Sequence, residues 1–233
     1  MIGLIVKGVV VVIGLAVVVR QVRKPIRWIG APFLRAMNAS HSALTDWGLG
    51  HVRIDPGWSI LDVGCGGGRT IAKMAATATG GKVFGVDYAA ESVRVASALN
   101  AAEIRAGRVE IRQASVSHLP FPDATFDLVT AIETHYYWPD LGHDVGEIRR
   151  VLKPGGTLLV IAESFKGGRN DLVEGPVMKL LGATRLTVDG HRELLTAAGF
   201  GDVQVLEERR HGWLAALGKR PAAVPAEFSP AEP

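Results

Sequence analysis

Cysteine is almost missing: Cys65 is the only one in 233 residues. No intramolecular disulfide can form, and nothing points to an oxidising compartment. Cys65 itself reads as a small buried side chain rather than a nucleophile. The seven histidines are scattered, and none joins the cysteine at metal-ligand spacing, so no metal is expected. No internal repeat is present. Acidic residues are absent from residues 1–27, where Lys7, Arg20, Arg23, Lys24 and Arg27 give +5. The remaining residues hold 21 basic and 23 acidic side chains. The overall charge of +3 is therefore a property of the N-terminus, and the rest lacks the basic surface of a nucleic-acid binder. No nucleic-acid partner is expected.

Residues 1–19 are apolar apart from Lys7, and residues 8–19 are twelve uncharged positions. Together with residues 2–6 they approach the roughly 20 needed to cross a bilayer. Lys7 is close enough to one end to reach the headgroups. The basic cluster in residues 20–27 follows at once, and such clusters stay on the cytoplasmic side. A cleaved leader is disfavoured, since no basic stretch precedes the run and no small-residue cleavage site follows it. A single N-terminal membrane helix is the expectation. A helix lying on the membrane or a buried element are the other readings. Residues 25–35 mix cations with Trp28, Ile29, Phe33 and Leu34, a composition suited to a membrane interface.

Glycine is concentrated where one element turns into the next. Residues 58–63 read as a strand buried on both faces. Gly64, Gly66, Gly67 and Gly68 follow, and Ile71, Met74, Ala75 and Ala78 then recur at helical spacing. Such a turn lets backbone N–H groups approach a ligand closely. Dinucleotide enzymes use the same arrangement. Asp62, however, would repel a pyrophosphate and favours a cationic or zwitterionic ligand. A second strand, residues 82–87, ends in Asp87, placed to accept both hydroxyls of a ribose.

Asp62-Val63-Gly64-Cys65-Gly66-Gly67-Gly68 and Gly85-Val86-Asp87 resemble the first motif and the ribose motif of the class I S-adenosylmethionine-dependent methyltransferases. His118-Leu119-Pro120-Phe121, Phe126-Asp127-Leu128-Val129 and Val151-Leu152-Lys153-Pro154-Gly155-Gly156 follow in that family's order. They are most similar to the branch containing the quinone-ring C-methyltransferases. The resemblance covers residues 58–219. It implies S-adenosyl-L-methionine as cofactor, held by Asp62, Gly64, Cys65, Gly66, Gly68, Asp87 and Tyr88. It also implies adenine contacts from Ser115 and Val116, although many relatives carry an acid where Ser115 stands.

The implied fold is α/β: a Rossmann-like, seven-stranded, mostly parallel sheet with helices on both faces and its last strand antiparallel. Helices are expected over residues 90–106 and 140–152, and a third, capped by Asp189, through residue 198. Residues 1–27 form the predicted anchor, 28–57 a capping helical segment, 58–219 the methyltransferase domain and 220–233 a disordered tail. Within the domain, residues 164–187 read as a substrate lid.

The fourth strand opens into Glu133, Thr134, His135, Tyr136, Tyr137 and Trp138, at the carboxyl end where ligands of open α/β sheets bind. Glu133, His135 and His41 are the candidate bases there, with Tyr136 a polar contact. Glu133 serves equally for cofactor positioning. The three aromatics read as pocket wall rather than a cage for a cation. An Asn/Asp-Pro-Pro-aromatic motif, used to grip a base's exocyclic nitrogen, is lacking. The expected protein is thus a membrane-anchored methyltransferase with a cytoplasmic catalytic domain. Its acceptor is small and lipophilic: a quinone, lipid, thiol or phenol. The alternatives are a catalytically inactive, membrane-tethered binding module and a dinucleotide-dependent oxidoreductase.

Overall fold

The computed structural model describes residues 30–32, 34 and 41–222. The expected N-terminal anchor and most of the expected tail lie outside the described residues. Among those described, no helix is long and apolar enough to cross a membrane.

The elements run α1 (Ser42–Leu49), β1 (Ser59–Val63), α2 (Arg69–Thr77), β2 (Lys82–Asp87), α3 (Ala90–Leu99), α4 (Ala101–Arg105), β3 (Val109–Gln113), β4 (Phe126–Ile132), α5 (Leu141–Val151), β5 (Leu152–Ala162), α6 (Asp171–Leu180), α7 (Val188–Ala197), β6 (Gly201–Glu208) and β7 (Trp213–Lys219). The strands form one sheet in the order β3-β2-β1-β4-β5-β7-β6. β7 pairs antiparallel with both β5 and β6, while β1 to β5 pair in parallel, as the motifs imply. The order reverses between β1 and β4, so the crevice at the carboxyl ends of these two strands is where a ligand belongs.

Alternation along the strands divides the core. Leu61 and Val63 of β1 join Val129, Leu158 and Val160 on one face, covered by Val145 and Ile148 of α5 and Leu195 of α7. Ile60, Val83, Leu128, Leu159 and Ile161 point to the other face, against Leu44 of α1 and Ile71 and Met74 of α2. Strands buried on both faces explain the near-continuous apolar runs.

Three local expectations need correction. The helix expected over residues 90–106 is broken at Asn100. There the buried side-chain amide donates to Gly68 O at 3.0 Å and Ala96 O at 2.9 Å, tying α3 to the glycine loop. Asp189 does not cap α7. The cap is Thr187, whose hydroxyl accepts from Gly190 N at 2.9 Å. Arg220, placed in the tail, is bound to the body: its guanidinium donates to Arg149 O and Arg150 O, and its carbonyl accepts from Gly155 N.

Candidate active site

The glycine loop is shaped by its own backbone and by one carboxylate. Gly64 and Gly68 have φ of 72° and 79°, a region that L side chains rarely enter. A Cβ on Gly64 would lie 2.1 Å from Thr134 Oγ1, and one on Gly68 2.7 Å from Ala96 Cβ. Asp87, at the end of β2, accepts from Gly66 N through Oδ2 at 3.0 Å and from Ala89 N through Oδ1 at 2.9 Å. Burial raises its pKa, and those backbone donors pull it part of the way back.

Asp62 is placed by register. It pairs with Thr130 across β1 and β4, and Thr130 Oγ1 donates to its carboxylate at 2.7 Å. The side chain is buried and no cation pairs with it among the described residues. Burial lifts its pKa to about 7, the Thr130 hydrogen bond opposing the rise and Asp87 adding to it. Cys65 is buried beside both acids, its thiol pushed well above its ordinary pKa chiefly by desolvation. It is no thiolate, consistent with a packing role.

These groups form one end of a cavity of about 490 Å³, within the usual range of roughly 300–1,000 Å³ for small-molecule sites. The opposite end is built from three distant parts of the chain. His41 stands before α1, Glu133 after β4 and Glu163 after β5. His41 Nε2 is 3.1 Å from Glu163 Oε1. Glu133 Oε1 accepts from Glu163 N at 2.6 Å and from the Tyr136 hydroxyl at 3.0 Å, and that hydroxyl accepts from Ser164 N at 3.1 Å. Burial, reinforced by the neighbouring Glu163 carboxylate, pushes Glu133 up. The Glu163 hydrogen bond raises His41, against the opposing effect of burial. Glu133 also has φ of 56°, a strained setting for a side chain with a Cβ, of the kind that costs about 1–3 kcal/mol and gathers at functional sites. Val173, Val177 and Met178 of α6 close the cavity with an apolar wall.

The expected site residues separate cleanly. The structure brings together Asp62, Gly64, Cys65, Gly66, Asp87, Glu133, Tyr136 and His41 around the one cavity, and Gly68 caps α2 beside it. His135 is elsewhere. It is fully buried, with Nε2 3.2 Å from His191 Nε2, while His191 Nδ1 is 2.8 Å from Thr187 O. That carbonyl only accepts, so His191 carries its proton on Nδ1 and accepts from His135 Nε2–H. His135 Nδ1 is then bare, in keeping with its lack of a partner among the described residues. Desolvation pushes both rings down in pKa, so they stay neutral. His135 is a core residue, not a base facing substrate.

Trp138 likewise packs into the core rather than the pocket wall. Tyr88, Ser115 and Val116 do not line the cavity either. Ser115 is exposed and its hydroxyl accepts from Ser117 N, while Val116 belongs to the core. The short serine side chain is spent on its own loop. Sequence reasoning missed Glu163, Thr130 and Ser92. Glu163 had a signal, since it follows the carboxyl end of an apolar strand, the place where such sheets bind ligands.

Comparison with known proteins is consistent with this site. Residues 61–160 match the family model "Methyltransferase domain". The chain is 30% identical over 172 residues to an O-methyltransferase of Pyrenophora dematioidea, covering 70% of this chain and 61% of that protein. It is 32% identical over 171 residues to the 2-methyl-6-phytyl-1,4-hydroquinone methyltransferase of Synechocystis, covering 70% and 52%. It thus spans about half the length of the curated relatives it matches. The fold is similar to that of a SAM-dependent methyltransferase from Aquifex aeolicus, with a TM-score of 0.65 at 20% identity over 82% of this chain and 98% of that one.

Proposed function

We propose that this protein, whose residues 61–160 match a methyltransferase-domain model, is a class I S-adenosylmethionine-dependent methyltransferase acting on a small lipophilic acceptor at a membrane surface. The observation that carries the reading is the polarity of this cavity. One end offers a glycine loop and two buried acids, the other a histidine and two glutamates, with an apolar wall alongside. S-adenosylmethionine, when bound, supplies a methyl group already activated on a sulfonium.

The residues at the first end fit that cofactor. The buried carboxylate of Asp62 has a hydroxyl but no cation for company, and an ammonium group completes its pairing. Asp87 lines the same end and keeps lone pairs for ribose hydroxyls beyond the two backbone bonds it already accepts. Gly64 and Gly66 leave room for close approach of the ligand to backbone.

At the second end the protein must hold a nucleophile in line, exclude water and receive a proton where the acceptor has one to lose. His41 with Glu163 behind it, and Glu133 beside them, are the groups placed for this. Tyr136 holds Glu133 in place. The apolar wall of α6 suits a lipophilic body, and the hydroquinone and O-methyltransferase relatives fit an acceptor bearing a hydroxyl.

The membrane part of the reading rests on the apolar run and basic flank of residues 1–27. Two described features support it. Leu34, a few residues further on, is buried in the wall of the cavity. α6, at the same cavity, shows Leu172 and Val173 with 95% and 76% of their surface exposed. An apolar helix at the mouth of a pocket suits a bilayer as the source of the acceptor. Cell fractionation tests this: the full chain is expected in the membrane fraction, and its release on deleting residues 1–27. A truncated protein that stays in the pellet overturns the anchor.

Calorimetry tests the cofactor. S-adenosylmethionine and S-adenosylhomocysteine are expected to bind and NADH not to bind. NADH binding, or no binding by any of the three, overturns the reading.

A further inference from the structure

Sequence spacing gave no reason to expect a metal, because the relevant residues are far apart along the chain. In the fold, one ligand atom from each of His41, Glu133 and Glu163 lies within 4.8 Å of the others. Among the described residues no other three His, Cys, Asp or Glu side chains are grouped this way. We propose that the cluster binds one divalent cation of borderline softness, such as Mn²⁺ or Zn²⁺, and that the cation holds oxygen atoms of the acceptor. The use of the cation rests on the methyl-transfer reading; its binding does not.

The donor set suits such an ion. An imidazole together with two carboxylates is acceptable to Mn²⁺ and Zn²⁺ alike, whereas Mg²⁺ and Ca²⁺ prefer oxygen alone. Two carboxylates together bring a negative charge that a divalent cation neutralises. Donors about 2.1 Å from a shared metal stand roughly 3.0–3.6 Å apart, so atoms now up to 4.8 Å apart close on the ion with side-chain shifts of about 1 Å. Glu163 has that freedom, its side chain being 40% exposed.

A second observation is independent of the three ligands. Ser164 lines the same cavity and is buried, yet its hydroxyl has no hydrogen-bond partner among the described residues. Buried hydroxyls are rarely left so. A water or acceptor oxygen carried on the cation supplies that partner. Three protein ligands leave further coordination positions open, enough for an acceptor with two adjacent oxygens, such as a catechol or a hydroxyquinone. Coordination to a divalent cation lowers the pKa of a bound hydroxyl. With the cation bound, His41 is a ligand rather than the base: the acceptor's proton passes to water and its oxygen remains on the metal as the anion.

The test uses the full chain, stripped with EDTA and titrated with MnCl₂, free Mn²⁺ being read by electron paramagnetic resonance. One Mn²⁺ per chain is expected, with affinity weakened at least tenfold in both His41→Ala and Glu163→Gln. Both side chains are partly exposed at the cavity wall, and the metal-free melting temperature checks that each variant folds. S-adenosylhomocysteine is titrated into the same samples. A protein that binds Mn²⁺ at these residues and not S-adenosylhomocysteine keeps this inference and loses the cofactor reading. Absence of Mn²⁺ and Zn²⁺ binding by the unmodified chain overturns the proposal, and so does equal binding by the chain and both variants.

Discussion

The two ends of the cavity are assembled in opposite ways. At the glycine-loop end, β1, the loop and β2 bring Asp62, the glycines and Asp87 from residues 62–87, and backbone hydrogen bonds set most of the geometry. At the acceptor end, residues 41, 133 and 163 meet only because α1, β4 and β5 pack side by side. The first end has little freedom to vary without losing the fold. The second is held by side chains and is free to change specificity while the scaffold stays the same.

The largest effect should come from breaking the loop itself. Gly64→Ala places a Cβ on a left-handed residue and 2.1 Å from Thr134 Oγ1. Left-handed strain of about 1–2 kcal/mol and overpacking of about 1–3 kcal/mol predict a destabilisation of roughly 2–5 kcal/mol. Cofactor binding should be lost with it. Urea denaturation and calorimetry measure both, and near-normal stability would show that the loop yields more easily than its contacts imply.

Changes at the acceptor end should do the reverse. His41→Ala is expected to leave S-adenosylhomocysteine affinity within about twofold while turnover falls about 10²-fold, the lower range for losing a proton-transfer group. A matched fall in cofactor affinity would mean that the two ends are not separate. Asp87→Ala returns to the cofactor end with a smaller penalty. It removes the acceptor for Gly66 N and Ala89 N and should weaken cofactor binding by about 1–3 kcal/mol, the cost of unpaired polar groups. Unchanged affinity would remove Asp87 from the ribose site.

The same contrast explains what the sequence disclosed. The glycine-loop end was legible because it is local: strand, turn and helix are contiguous, and Asp87 follows at a fixed distance. The parallel strands were legible as apolar runs. The acceptor end was only partly so. Glu133 and Tyr136 line the cavity from their place after β4, but nothing in the chain announces that Glu163 reaches His41 across 122 residues. His135 was misjudged because a histidine after a central strand points to the ligand or into the core according to one backbone turn. Here the 3₁₀ turn His135–Tyr137 directs it to His191. The Asn100 break depended on a tertiary bond to Gly68 O, which helical periodicity does not register.

The smallest expected effect is the most specific to the cofactor end, because it is a matter of charge alone. Asp62 has its pKa raised to about 7 by burial. An ammonium ligand needs the ionised form, so affinity should rise with pH through this value, gaining about threefold between pH 6.4 and 7.4. Above about pH 8 the ligand's own α-amino group loses its proton, and affinity should fall again. The sign for stability is opposite in the ligand-free protein. Between pH 4 and 7 the unfolded chain has released the Asp62 proton while the folded chain retains it, so this group's contribution falls as pH rises. Asp62→Asn should flatten the acidic limb of the affinity profile and leave the alkaline limb in place. Calorimetry across pH 6–9 reads both limbs. An acidic limb that survives in the variant would assign the titration to another group, and the ammonium site would then have to be sought away from Asp62.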